Sequence, residues 1–283
     1  MSAVATVACV EDHISKRNFD HLARFIYDYS GIKMPPTKMT MLEGRLRRRL
    51  RATGISSFDE YCDYLFKQDG LEHEKVYLID AVTTNKTDFF REPNHFTYLR
   101  DHALPKLAAR DLRRFRIWSS ACSTGAEPYT LAMVLDDFTG ANPHQDYAIL
   151  ATDLSTEVLQ TARRGIYSAD MVAPVPAVYH DRYVMQARDP SRREVRIHPN
   201  LRSRVGFARL NLMDQSYGVG DPMHIIFCRN VLIYFDKPTQ HRVLSRLIEC
   251  LAPGGYLFIG HSETVSGFDL PIRQVANTVF EKV

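Results

Sequence analysis

The feature that most constrains this chain is an alternation of strand-like and helix-like segments that runs from Arg114 to the C-terminus. Such an alternation predicts a mostly parallel, doubly wound α/β sheet with helices on its faces. We expect strands over Phe115–Trp118, Tyr147–Leu154, Val205–Leu212, Ile225–Tyr234 and Tyr256–Gly260. We expect the main intervening helices over Glu127–Phe138, Ser155–Arg164 and Pro238–Leu251.

The first 84 residues follow helical spacing instead. Phe19, Leu22, Ile26 and Tyr29 recur three or four residues apart, and Gly31 is a suitable C-terminal stop. Further helices are expected over Lys38–Thr53, from Ser57 onward with Glu60 in capping-box position, and over Leu71–Val82. We therefore predict an all-helical domain over residues 1–84, followed by an α/β domain over residues 85–283.

One segment, residues 168–204, interrupts the alternation. Within it, Tyr183–Met185 and Glu194–Ile197 look like short strands, and the polar turn Asp189–Arg192 lies between them. The pattern predicts a small β-hairpin subdomain inserted into the α/β domain. A peptide can bind such a hairpin by adding a strand to its edge. A purely structural flap fits the same pattern equally well.

Composition and terminal sequence exclude several classes of protein. No apolar run approaches the ~20 residues that cross a bilayer, and the N-terminus lacks the basic region of a signal peptide. The five cysteines are scattered without a C-x-x-C pair, which indicates thiols in a reducing cytoplasm and no metal site. The first 14 residues show little periodicity, so we expect them to be disordered.

The turn after the first predicted strand, Ser119–Pro128, lies where a dinucleotide-binding fold carries several glycines. Here Gly125 is the only glycine, and Glu127 brings negative charge to a position that favours anions. A pyrophosphate is therefore disfavoured. S-adenosylmethionine contains an adenosine, a sulfonium and an ammonium but no phosphate, so it suits this turn. Asp153 ends the second strand, where an acidic residue binds ribose hydroxyls, although it can equally cap the next helix.

Several separate segments resemble the chemotaxis-receptor methyltransferase (CheR) family. They are Asn85–Arg91, Trp118–Tyr129, Ala151–Thr156, Leu210–Leu212, Phe227–Phe235, Pro253–Gly255 and Gly260–Glu263. The resemblance implies a helical N-terminal domain, a Rossmann-like catalytic domain with an inserted β-subdomain, and conversion of S-adenosylmethionine to S-adenosylhomocysteine. It also implies that this protein methylates glutamate side chains of chemoreceptors and does so in the cytoplasm. We expect it to be a monomer.

The resemblance further implies a set of site residues. The cofactor contacts are Asn85, Thr87, Arg91, Glu127, Asp153, Asn211, Leu212, Arg229 and Asn230, with Arg91 and Tyr234 nearest the point of methyl transfer. Outside the family pattern, Arg91 would be read as a surface arginine in an ion pair and Tyr234 as an ordinary tyrosine at a strand end. A glutamate is already ionised at neutral pH, so this reaction requires no general base and no metal.

The second predicted helix carries an unusual concentration of positive charge. Opposite its apolar stripe lie Arg45, Arg48 and Arg51, flanked by Arg47 and Arg49. A charge run of this kind is usually a solvated helix face. Five arginines within seven residues favour attraction to an acidic partner, since arginine pairs with carboxylates in a bidentate manner. With the family resemblance, we expect Arg45, Arg48, Arg49 and Arg51 to bind the acidic helices of a receptor.

Other readings remain open at this point. An RNA methyltransferase would use the arginines on phosphates, but no RNA-binding signature accompanies them, so no nucleic-acid partner is expected. A hydrolase would use Ser262, because Gly260–Thr264 nearly matches a nucleophile elbow. A sensor that binds the cofactor without transferring methyl groups also fits.

Overall fold

The computed structural model describes residues 12–110, 112–189 and 191–283. Most of the predicted disordered segment therefore lies outside the described residues. The chain divides into two compact units, with the division between Thr83 and Thr84. Among the described residues, no helix is both long and apolar enough to cross a membrane.

The first unit is built from four helices, as the periodicity predicts. They are α1 (Lys16–Ser30), α2 (Met39–Thr53), α3 (Phe58–Lys67) and α4 (Leu71–Val82), with a 3₁₀ turn over Pro36–Lys38. Gly31 and Gly54 end α1 and α2 with φ angles of 73° and 72°, a conformation that glycine adopts at little cost. Ser57 caps α3, but Glu60 reaches back to Ser56 instead of completing the box with Ser57.

The second unit is organised around a seven-stranded sheet. Its strands are β1 (Arg114–Ser119), β2 (Asp146–Asp153), β6 (Val205–Arg209), β7 (Met223–Cys228), β8 (Leu251–Ile259), β9 (Ile272–Ala276) and β10 (Val279–Lys282). Their order is β6-β2-β1-β7-β8-β10-β9, and the pairs are parallel except that β10 runs antiparallel to both β8 and β9. The predicted doubly wound α/β class is confirmed, while β9 and β10 were not expected.

Helices cover this sheet on both faces. In chain order the helices of the whole unit are α5 (Asn94–Tyr98), a π-helical turn (Leu99–Ala103), α6 (Leu104–Ala108), α7 (Ala126–Ala141), α8 (Thr156–Arg164), α9 (Ala169–Val172), α10 (Ala177–Tyr183), α11 (Pro199–Arg202) and α12 (Lys237–Glu249). One apolar cluster packs around α7 and another around α12, which places a core on each side of the sheet.

Three predicted boundaries are corrected by the structure. The strand expected over Ile225–Tyr234 ends at Cys228, because Asn230 has a φ of 56° and the next residues form a 3₁₀ turn, Leu232–Tyr234. The strand expected to start at Tyr256 begins at Leu251 and so includes the predicted helix stop at Pro253–Gly255. The strand expected to reach Leu212 ends at Arg209.

The predicted inserted hairpin is present as part of a small second sheet. Strands β4 (Val184–Gln186) and β5 (Glu194–Ile197) pair antiparallel, and the turn between them includes Pro190, which lies outside the described residues. A third strand that the sequence did not reveal, β3 (Ile166–Ser168), pairs with the other side of β5. Both β3 and β4 are therefore edge strands of this sheet.

Candidate active site

The site lies at the carboxyl ends of the parallel strands, where the chain leaves β1 for α7. At this point β1 lies between β2 and β7, so successive connections diverge to opposite sides and leave a crevice. Ser123 takes a φ of 50° and Gly125 a φ of 95° as the loop turns into the helix. A Cβ atom at Gly125 would lie 2.9 Å from both Ala162 Cβ and the Tyr167 hydroxyl, so this position requires glycine.

Asp153, at the end of β2, holds this loop in place. One carboxylate oxygen accepts a hydrogen bond from Ser123 N at 2.8 Å, and the other accepts from Ser155 N at 2.9 Å. Asp153 therefore fixes both the loop and the residue that precedes α8. Its binding to ribose hydroxyls stays a prediction.

A buried arginine lies between two carboxylates beside the loop. Arg229 follows β7, and its side chain is only 2% exposed. Its Nη1 donates to Glu127 Oε2 at 3.1 Å, and its Nη2 donates to Glu92 Oε2 at 3.0 Å. Nη2 also donates to the main-chain carbonyl of Arg91. Arg91, Glu127 and Arg229, which the sequence placed at the cofactor, are therefore brought into one cluster.

Both carboxylates of this cluster accept from further donors. Glu127 Oε1 accepts from Ser119 Oγ at 2.7 Å, and Glu92 Oε1 accepts from Asn230 Nδ2 at 3.1 Å. Burial raises the pKa of Glu127, and the charge of Arg229 opposes that effect. Burial also works against ionisation of Glu92, but the Asn230 hydrogen bond and the Arg229 charge prevail and lower its pKa to about 2.

Each of the two carboxylates accepts hydrogen bonds on both of its oxygens. This arrangement fits the ionised form, which can accept hydrogen bonds but cannot donate them. Two carboxylates around one guanidinium leave an excess of one negative charge in a largely buried place. That charge matches S-adenosylmethionine, whose sulfonium and ammonium outnumber its carboxylate by one. Two buried polar atoms here, Arg229 Nε and Thr124 Oγ1, lack a hydrogen-bond partner among the described residues. The chemistry of the site therefore fits this cofactor.

Glu263 anchors the segment that follows Arg229. Its buried carboxylate accepts from the main-chain N–H groups of Asn230, Leu232, Ile233 and Gly260. Burial raises the pKa of Glu263, and these backbone donors oppose the rise. Because Glu263 fixes the turn Leu232–Tyr234, it positions Tyr234 relative to Arg229.

Two histidines adjoin the same cluster. His95 is 1% exposed, and its Nδ1 lies 3.5 Å from Glu92 Oε2. His261 Nε2 lies 3.9 Å from the same oxygen, and its side chain is 38% exposed. Burial, together with the charge of Arg229, lowers the pKa of His95 to about 4.

The other predicted site residues lie around this crevice. Asn85 accepts a hydrogen bond from Ser123 Oγ through its carbonyl at 2.7 Å. Asn211 comes directly after Leu210, whose N–H donates to the Asp153 carbonyl at 3.1 Å. Leu212 is buried, and its carbonyl accepts from the Tyr217 hydroxyl at 2.7 Å. Thr87 is half-buried in the segment that joins Asn85 to Arg91.

The predicted receptor-binding arginines on α2 fall into two groups. Arg49 forms a bidentate ion pair with Glu74, at 2.7 and 3.0 Å, and Arg45 donates to the carbonyls that end α4, including that of Thr83 at 2.9 Å. These two guanidinium groups therefore stabilise the helical unit itself. Arg48 and Arg51 are exposed on the same helix.

The nucleophile elbow suggested by Gly260–Thr264 does not match the structure. An elbow requires a helix directly after the turn, so that the serine stands at the helix N-terminus. Here β8 ends at Ile259, and the described residues 260–271 form turns and extended chain. Ser262 lies next to Glu263, whose carboxylate is occupied by backbone donors. The structure therefore does not support the hydrolase alternative.

Taken together, the sheet with its antiparallel strand β10 and the acidic, glycine-poor loop define a methyltransferase that uses S-adenosylmethionine. Two family models match the chain: "CheR methyltransferase, all-alpha domain" over residues 17–83 and "CheR methyltransferase, SAM binding domain" over residues 85–280. The chain belongs to the CheR methyltransferase family. The resemblance seen in the sequence is thus confirmed, and so is the cofactor.

Similar proteins cover almost the whole chain. The chemotaxis protein methyltransferase of Escherichia coli K12 is 39% identical over 267 residues, which are 94% of this chain and 91% of that protein. Chemotaxis protein methyltransferase 2 of Pseudomonas aeruginosa is 38% identical over 274 residues, which are 95% of this chain and 94% of that protein. The chemotaxis protein methyltransferase of Borreliella burgdorferi is 38% identical over 260 residues, covering 90% of each chain.

Sequence reasoning missed Glu92, His95, His261 and the anchoring role of Glu263. Glu92 directly follows Arg91, and Glu263 ends the Gly260–Glu263 segment, so both lay within or beside segments that carry the family resemblance. Neither fits a helical or alternating pattern that would mark it as buried. The one signal available was the E-x-x-H spacing of Glu92 and His95, which places both side chains near one another at the start of α5.

Proposed function

We propose that this protein transfers the methyl group of S-adenosylmethionine to glutamate side-chain carboxylates of chemoreceptors, in the cytoplasm and as a monomer. The observation that carries the proposal is the acidic, largely buried cluster of Glu92, Glu127 and Arg229 at the carboxyl edge of the sheet. Its excess negative charge suits a cationic methyl donor. Family membership, and relatives named as chemotaxis protein methyltransferases, support the receptor as substrate.

The chemistry requires little from the protein beyond placement. S-adenosylmethionine supplies an electrophilic methyl group. A glutamate oxygen forms the new bond to the methyl carbon, while the carbon–sulfur bond breaks and its electron pair stays on sulfur. Since one negative and one positive charge disappear together, excluding water and aligning the three atoms lower the barrier. No proton is transferred, so the reaction needs no general base.

We assign the cofactor to Asn85, Thr87, Arg91, Glu127, Asp153, Asn211, Leu212, Arg229 and Asn230. Within this set, Asp153 binds the ribose hydroxyls, and Glu127 provides negative charge near the amino-acid part. Glu92 holds Arg229 and Asn230 in position through its two carboxylate oxygens. Glu92 is thus a positioning residue.

We assign Arg91 and Tyr234 to the point of methyl transfer. The main chain of Arg91 is fixed by Arg229, and its Nη1 donates to the Lys86 carbonyl at 3.0 Å, which leaves further N–H groups to orient a carboxylate. Tyr234 ends the turn that Glu263 anchors, and its hydroxyl lines the path of the methyl group.

Receptor docking is assigned to the exposed part of α2. Of the four arginines predicted for it, Arg48 and Arg51 carry the interaction, because Arg45 and Arg49 already stabilise the helical unit. Exposed arginines attract an acidic helix over several ångströms and pair with its carboxylates on contact. We also propose that residues 1–84 and 85–283 are separate domains and that residues 168–204 form an inserted subdomain.

The small sheet provides a second docking site, for a C-terminal tether peptide of the receptor. Arg196 on β5 lies opposite Ile166 on β3 and Met185 on β4, and all three residues are exposed. This row offers two apolar contacts around one positive charge. Either edge strand can accept an extended peptide by strand addition.

A charge-reversal experiment tests the docking assignment. We expect Arg48→Glu with Arg51→Glu to slow methylation of a receptor cytoplasmic fragment about tenfold or more, and more strongly at low salt, while calorimetry shows unchanged cofactor affinity. The matched control is Arg17→Glu with Arg24→Glu, two exposed arginines on α1 that change the net charge equally. Equal slowing by both double variants would contradict a specific role for α2. A loss of cofactor affinity in the α2 variant would contradict the separation of docking from cofactor binding.

A further inference from the structure

We propose that Glu92, His95 and His261 form a binding site for a divalent transition metal such as Zn²⁺. One carboxylate oxygen and two imidazole nitrogens, one from each ring, lie within 4.8 Å of one another. Carboxylate and imidazole are ligands that zinc uses in proteins, and three protein ligands leave a fourth position for water. The site ties the segment before α5 to the turn after β8.

The hydrogen bonds of His95 leave the nitrogen that faces Glu92 as an acceptor. Thr278 Oγ1 lies 2.8 Å from the Asn277 carbonyl, and we assign its single proton to that hydrogen bond. With that assignment, His95 Nε2, 2.8 Å from the same hydroxyl oxygen, carries a proton and donates it. In the neutral ring, Nδ1 then presents a lone pair.

That nitrogen lies close to a negative charge. His95 Nδ1 is buried, has no hydrogen-bond partner among the described residues, and lies 3.5 Å from Glu92 Oε2. A lone pair and a carboxylate facing each other away from water are mutually repulsive, and a cation between them relieves the repulsion. In a metal-binding histidine, the ring nitrogen that does not bind the metal usually donates a hydrogen bond that orients the ring. Here His95 Nε2 donates such a bond to the Thr278 hydroxyl.

The spacing of the three ligands suits zinc with a small movement. Two atoms bound to zinc at about 2.1 Å with a tetrahedral angle lie about 3.4 Å apart. Glu92 Oε2 lies 3.5 Å from His95 Nδ1 and 3.9 Å from His261 Nε2. The exposed ring of His261, which lies in a turn, must therefore approach Glu92 Oε2 by about half an ångström. It must also approach the nitrogen of His95, which lies within 4.8 Å of its own.

The site is accessible from solvent. A groove of about 280 Å³, lined in part by Asn94, His102 and Asn277, reaches both histidines and provides an entry path. Glu92 Oε2 already accepts from Arg229 Nη2, so a bound ion shares this oxygen with the arginine. Metal binding would thereby act on the same carboxylate that positions Arg229.

The test is zinc binding by the untagged, full-length protein, measured by competition with a chromophoric chelator. We expect one zinc per chain. His261→Ala should weaken binding more than about 100-fold, because even the loss of an outer partner costs 10- to 100-fold. His144→Ala, which removes another exposed histidine of the same unit, should leave the affinity unchanged. X-ray absorption at the zinc edge should show two imidazoles and no sulfur.

Three results would overturn the proposal. Equal zinc affinity of the wild-type, His261→Ala and His144→Ala proteins would mean that any bound metal lies elsewhere. Sulfur in the coordination shell would place the ion at a cysteine. Failure of the wild-type protein to bind zinc would likewise reject the site. It would mean that a proton, and not a metal ion, lies between His95 and Glu92. None of these readouts depends on methyl transfer, so they are independent of the proposed function.

Discussion

Replacing Glu92 with glutamine should destabilise the catalytic unit in a way that depends on pH. Glu92 is only 13% exposed, and its carboxylate accepts from Arg229 and Asn230. These contacts lower its pKa from 4.5 to about 2. Each pH unit of difference is worth ~1.36 kcal/mol, and solvent screens part of the interaction, so the ionised carboxylate contributes about 2 kcal/mol to the free energy of unfolding at neutral pH.

The sign of the pH dependence follows from the lowered pKa. The folded protein holds the ionised form more strongly than the unfolded chain, so the contribution is complete at neutral pH. It declines once the pH falls below about 4.5 and disappears below about 2. Glu92→Gln should therefore cost about 2 kcal/mol at pH 7 and about 1 kcal/mol at pH 3.

Urea unfolding measures both values, with a chelator present so that no metal ion contributes. Trp118, the single tryptophan of the chain, is fully buried in β1 and reports unfolding of this unit by its fluorescence. Glu249→Gln, at an exposed position on α12, is the matched control and should change stability by less than ~0.5 kcal/mol. A Glu92→Gln penalty no larger than that of the control, or one that is equal at pH 7 and pH 3, would refute the reasoning.

Two further substitutions test other parts of the site. Glu127→Gln removes the excess negative charge and should weaken S-adenosylmethionine binding about tenfold or more in calorimetry. Because burial raises the pKa of Glu127, the affinity of the wild-type protein for S-adenosylmethionine should begin to fall at a higher pH than an ordinary carboxyl group would cause. The Glu127→Gln variant should not show this pH dependence. Gly260→Ala would place Cβ 2.5 Å from Asn230 Nδ2, so it should cost about 1–3 kcal/mol in thermal unfolding. Its control, Gly140→Ala on α7, meets nothing within 4 Å and should be neutral or stabilising.

The sequence predicted correctly those helix ends that depend on residues close by in the chain. The limits of α4, the glycine ends of α1 and α2, and the cap of α3 all follow from residues within one or two turns. The end of β7 could not be found in this way, because apolar residues resume after Arg229 and Asn230 and continue through Ile233. What ends the strand is the left-handed conformation of Asn230, which Glu263 stabilises from 33 residues away.

The candidate site shows the same limit. Glu127 and Asp153 were predictable because they follow strands at positions where this fold binds ligands. Glu92 was not, because its burial depends on Arg229, a partner 137 residues away. Likewise, the arginine run on α2 looked uniform in sequence. Its division into structural and exposed members depends on Glu74 and on the carbonyls at the end of α4.

The central claim is that this chain forms methyl esters on receptor glutamates. The most direct measurement supplies S-adenosylmethionine with a labelled methyl group, together with a receptor cytoplasmic fragment, and follows the label after alkaline treatment. We expect label that alkali releases as methanol and that disappears when the receptor glutamates are changed to alanine. Label that resists alkali would contradict carboxyl methylation. Cofactor binding without any label on the receptor would favour a sensor over an enzyme.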